Sequence, residues 1–157
     1  MPNFKQAFAG DSALTITLTS LANGAARESD AVDNSTNLYI DALCRVHVKL
    51  ATGTPASDKL INVYAYGSED GTNYGDNVTG ANAGVTLRSP TNLKLVATIY
   101  TPDSGGLTYK SHPFGIAWAF GGILPVKWGI VVENRSGLAL DTTGNAVAFN
   151  GSYYTVN

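Results

Sequence analysis

Between residues 38 and 50 every even position is apolar: Leu38, Ile40, Ala42, Cys44, Val46, Val48 and Leu50. The odd positions, Tyr39, Asp41, Leu43, Arg45, His47 and Lys49, are mostly polar. Strand side chains alternate between faces with a period of two, so the pattern predicts a strand with one dry and one wet side. At ~3.3 Å per residue it would extend about 40 Å. A half-buried strand of this kind belongs to antiparallel β structure, which can pack one face on a core and leave the other in water.

The same alternation recurs along the chain. Leu14, Ile16 and Leu18 alternate with threonines, predicting a strand over residues 12–19. Ile61, Val63 and Ala65 oppose Asn62, Tyr64 and Tyr66, while Leu93, Leu95, Ala97 and Ile99 share one parity. Phe114, Ile116, Trp118 and Phe120 alternate with Gly115, Ala117 and Ala119. Trp128, Ile130 and Val132 follow, then residues 146–149. Asn23-Gly24, Gly53, Gly121-Gly122, Ser136-Gly137 and Thr143-Gly144 punctuate these runs as turns. About eight strands, short turns and no convincing helix predict an all-β, single-domain antiparallel β-sandwich of jelly-roll type. Residues 1–11 are expected as an N-terminal arm and residues 12–157 as the sandwich domain. In the arm, Phe4 and Phe8 are spaced for one face of a helical turn that Gly10 and Asp11 would end.

Composition narrows the function classes. Charged residues make up 14% of the chain, against ~25% in ordinary soluble domains. The net charge is −2 with no basic run, so the electrostatic footprint of a nucleic-acid binder is missing. The lone Cys44 cannot form an intrachain disulfide and reads as a small buried hydrophobe. No apolar run is long enough to span a bilayer. The opening residues lack a basic region followed by an apolar run, so synthesis in a cytoplasm without an export signal is expected.

No residue set reads as a catalyst, and no enzyme activity or cofactor is expected. His47 and His112 fall on different predicted strands, without a neighbouring nucleophile and orienting group. The acidic run around Glu69, Asp70 and Asp76 offers oxygen ligands for calcium but lacks the EF-hand spacing, and acidic residues are ordinary in turns. The many tyrosines, among them Tyr64, Tyr66, Tyr100 and Tyr109, could form a sugar platform or pack cross-strand and at subunit interfaces. Phe4, Phe8, Tyr74, Tyr153 and Tyr154 lie in the arm, the long loop over residues 68–90 and the C-terminal tail. These segments carry aromatics with no evident core duty, and they are the candidate partner contacts.

Several phrases occur together: Leu21-Ala22-Asn23-Gly24-Ala25-Ala26-Arg27, Asn34-Ser35-Thr36-Asn37-Leu38-Tyr39-Ile40-Asp41, Asn62-Val63-Tyr64-Ala65-Tyr66-Gly67 and Phe120-Gly121-Gly122-Ile123-Leu124-Pro125-Val126-Lys127-Trp128-Gly129-Ile130. With them, residues 14–141 resemble a family of small virion proteins of tailed bacteriophages and prophages. The resemblance implies a non-enzymatic capsid cement, or decoration, protein. Such a protein would be made in the host bacterial cytoplasm, self-associate as a trimer or dimer, and bridge subunits of the major capsid protein in the virion. No catalytic residue comes with it. A tail or baseplate component of the same fold, touching glycans, is the second reading. A free carbohydrate-binding module is the third.

Overall fold

The structure is a computed structural model and describes residues 2–156. In chain order its strands are β1 (Phe4–Ala13), β2 (Ala26–Glu28), β3 (Val32–Asp33), β4 (Asp41–Lys49), β5 (Leu60–Ser68) and β6 (Gly84–Val85). They continue with β7 (Lys94–Tyr100), β8 (Thr108–Lys110), β9 (Phe114–Gly115), β10 (Lys127–Arg135) and β11 (Ala146–Val156). A single 3-10 turn, Ala117–Phe120, lies between β9 and β10. The sequence reading expected about eight strands. Five of the observed strands, β2, β3, β6, β8 and β9, are only two or three residues long, too short for periodicity to delimit, although β9 opens the expected 114–120 run.

All strand pairings are antiparallel, and they form two sheets of a β-sandwich. In the first sheet the order is β1-β11-β4-β8, with β9 also on β4. In the second it is β6-β2-β10-β5-β7, with β3 also on β10. The core between them is built from the faces the alternation marked. Ala42, Cys44, Val46 and Val48 of β4 meet Ile61, Val63, Ile130 and Val132 of β5 and β10, all at zero exposure. Trp128 is also fully buried, its ring edge-on to Phe149 at 5.1 Å.

Four expectations need correction. The long strand begins at Asp41, not Leu38. Leu38 has φ +53° and its N–H closes a turn onto the Asn34 carbonyl, which leaves its side chain 71% exposed. Residues 14–18 bury Leu14 and Leu18 but belong to no strand: Leu14 N–H still donates to the Val147 carbonyl of β11, and beyond it the backbone bonds go to loop residues. Thr17 N–H donates to Asn82 Oδ1, and the Thr15 carbonyl accepts from Asp30 N–H. The run from Phe114 to Phe120 breaks after β9 into the 3-10 turn, because Asp41 Oδ1 captures the N–H groups of Ile116 (3.0 Å) and Ala117 (2.8 Å). Finally, a bulge in β7 opposite Val63 and Tyr64 splits the Leu93–Ile99 parity. Leu93 is buried in a separate cluster, and Leu95 is exposed.

The N-terminal segment is also extended. Residues 4–13 form β1, an edge strand hydrogen-bonded to β11, with Phe4 opposite Val156 and Phe8 opposite Ser152. Pairing of β11 with β4 stops at Ser152↔Asp41. Past that point, among the described residues, β11 is paired with β1 alone, as a two-stranded ribbon. Arg45 on β4 clasps its base through two bonds to the Asp11 carboxylate (2.7 and 2.6 Å), which hold that carboxyl below its ordinary range.

Candidate interaction surface

The two outer faces of the sandwich differ in cover. On the second sheet, Tyr66 and Val131 point away from the main core, yet both are buried. The long loop folds over them, and its Val78 and Val85 join Leu93, just beyond it, in a second apolar cluster. Glu28 anchors the cover. Its buried carboxylate accepts from the N–H groups of Thr79 and Gly80 (2.9 and 2.8 Å) and from the Thr79 hydroxyl (3.0 Å). Tyr66 donates its hydroxyl to the Ser29 carbonyl at 2.6 Å.

The outer face of the first sheet has no such cover. Residues directly opposite in an antiparallel pair point to the same side. The register therefore places Phe4, Gln6 and Phe8 on one side with Val156, Tyr154 and Ser152. Phe4, Phe8, Tyr154 and Val156 are each at least half exposed. Beside them stands Trp118, 56% exposed on the 3-10 turn. Trp118 and Tyr154 border an open cleft of about 550 Å³, together with Gln6, Ile40, Asp41 and Gly122. With aromatic side chains of ~150–250 Å² each, this face exposes on the order of 500 Å² of apolar surface, the size of the largest patch on a typical monomer, which is often a functional one. The aromatic that the sequence left unmarked, Trp118, stands on a backbone pinned by hydrogen bonds. Asp41 Oδ1 bonds the turn's first N–H, that of Ala117, and the Gly121 N–H closes the turn onto the Trp118 carbonyl.

The candidate contacts thus separate. Phe4, Phe8 and Tyr154 come together on this face, and Tyr153, on the opposite side of the ribbon, is half-buried. Tyr74 does not join them. Its ring packs edge-on against Tyr66 at 5.7 Å and it belongs to the covered cluster on the other sheet.

The acidic groups weighed as calcium ligands serve their own loop. Asp70 accepts from the N–H groups of Thr72 and Asn73, the Asn73 amide and the Ser68 hydroxyl, which hold its carboxyl far below the ordinary range. Asp76 accepts from the N–H and side-chain amide of Asn92 and from the Thr91 hydroxyl, again lowering its pKa. Among the described residues no three His, Cys, Asp or Glu side chains converge on a common point. His47, on β4 opposite Lys110, is shifted down by burial and by the charges of Lys110 and Arg45. Cys44 is a buried thiol whose pKa burial pushes far up, so it is not a nucleophile. No helix among the described residues is long and apolar enough to cross a membrane. Comparison with protein-family models, curated proteins and solved structures finds no match to the chain.

Proposed function

We propose that the protein is a non-enzymatic structural component of a tailed-bacteriophage virion, a capsid cement protein that bridges major capsid protein subunits. The observation that carries this reading is the bare aromatic face of the first sheet. A chain able to cover one outer face with its own loop leaves the other open, with Phe4, Phe8, Tyr154, Val156 and Trp118 exposed on it. Aromatics gathered on an open face are the anchors protein interfaces use. The sequence likeness described above supplies the partner: the protein is made in the host cytoplasm and joins the shell there.

Its mechanism is linkage. A module that binds the assembled lattice and not the free subunits stabilises the lattice by mass action. Repetition by symmetry turns modest contacts into avidity. The purified protein should co-sediment with phage shells lacking it and raise their melting temperature. Shells that neither retain it nor melt higher would overturn the reading.

One observation favours the second reading, a glycan-touching tail or baseplate component. The cleft at Trp118 and Tyr154 combines two aromatic rings with the Gln6 amide and the Asp41 carboxylate, the mixture a sugar ring accepts. Retention on a glycan array that is lost in Trp118→Ala would select it over cement.

A further inference from the structure

We infer that β1 is a self-pairing edge, through which two copies of this chain join into a two-fold dimer with one continuous aromatic face. This rests on the cement reading for its purpose but not for its test.

The free edge is the first argument. Among the described residues no strand pairs with β1 on the side away from β11. Its backbone N–H and C=O groups along that side are therefore a template for another strand. Soluble proteins blunt such edges with proline, lysine and other charges, bulges or a covering loop. Between Phe4 and Phe8 there is neither proline nor cover; Lys5 is the one blunting charge, and regular pairing is interrupted only after Phe8.

The chain's own features fix the register. Regular pairing in β1 runs from Phe4 to Phe8 and is interrupted before Asp11, with Gly10 at φ +97°. Pro2, which has no N–H, limits it on the other side. The regular stretch is centred on Gln6. An isologous antiparallel pair about that centre sets Gln6 opposite its symmetry mate, Phe4 opposite Phe8, and Lys5 opposite Ala7. Like charges never meet, and the aromatic residues pair across the axis.

The pairing also joins the two aromatic faces. Related by a two-fold axis, they lie on the same side of one extended sheet, so about 500 Å² of apolar surface per copy becomes one continuous face of roughly twice that area.

The test uses the full chain in solution. Sedimentation equilibrium should give a dimer. Because Cys44 is buried and unreactive, one added cysteine reports alone. Gln6→Cys lies on the axis and should cross-link under mild oxidation roughly tenfold faster than Lys5→Cys, which is a diagonal step too far for a disulfide. Phe4→Lys/Phe8→Lys places lysines opposite each other and should give a monomer, while Phe4→Glu/Phe8→Lys pairs opposite charges and should restore the dimer. A monomer at every concentration, a trimer, equal cross-linking of the two cysteine variants, or identical behaviour of the two charge variants would each overturn the inference. A monomer that still binds shells would sink this dimer and spare the cement reading. A dimer that ignores shells would do the reverse.

Discussion

The outer face of the second sheet is roofed by its own loop and anchored by a buried carboxylate, whereas that of the first is bare and lined with aromatics. Both lie over the same core and both carry large apolar side chains. The difference teaches that exposure here is local and selective. Tyr66 and Val131 are sheltered at the expense of a long irregular segment, yet Trp118 is fixed in the open by Asp41.

That contrast can be broken by substitution. The shared core sets the upper end of the scale. Val46→Asp places an unpaired charge at a fully buried position and should abolish folding, read as loss of the native near-ultraviolet signal. Trp128→Ala should cost about 3–5 kcal/mol in chemical denaturation, since it empties the largest buried site. The roof comes next. Glu28→Ala strips three donors of their acceptor, and about 2–3 kcal/mol of destabilisation is expected. A neutral result would mean the cover does not contribute to the fold. At the bare face, Trp118→Ser should stay within about ±0.5 kcal/mol of wild type while shell retention falls. A large stability loss there would show Trp118 to be core after all.

Acid gives the smallest and most distributed effect. Asp11, Asp33, Asp70, Asp76 and Asp141 all have lowered folded-state pKa values from hydrogen bonds. Their contributions are therefore complete above the unfolded carboxylate range, about pH 4, and are lost as pH falls through the lower folded values. Thermal melts should hold level above that range and drop below it. Asp76→Asn should flatten part of the slope.

Where burial is set by one sheet packing on the other, the sequence was legible. Ala42 to Leu50 and Trp128 to Val132 alternate because one side of each strand enters the core, whereas residues 60–67 were legible as a strand with its core face left open between Ile61, Val63 and Ala65 and the tyrosine side. The second cluster was not legible by that route. Tyr66 and Val131 sit at the parity that reads as solvent-facing, and only the folded loop makes that side dry. Trp118 failed for a related reason. Its spacing matched a strand, but one carboxylate far back in the sequence, on Asp41, redirects the backbone. The aromatics of the ribbon were legible as residues without core duty. Their union on one face required the β1–β11 register, which no local pattern encodes.

The order of strands within the sheets has a consequence for how the chain matures. β11 separates β1 from β4 in one sheet, and β10 separates β2 from β5 in the other. Both central strands are among the last synthesised. While the ribosome is still producing residues before 127, β5 can pair with β7 and β4 with β8 and β9, but neither layer has its keystone. Completion of both sheets therefore waits for nearly the whole polypeptide and then proceeds through distant pairings, the regime of slow folders. Until then β1, whose partner β11 is the last strand made, has no neighbour to pair with on the nascent chain.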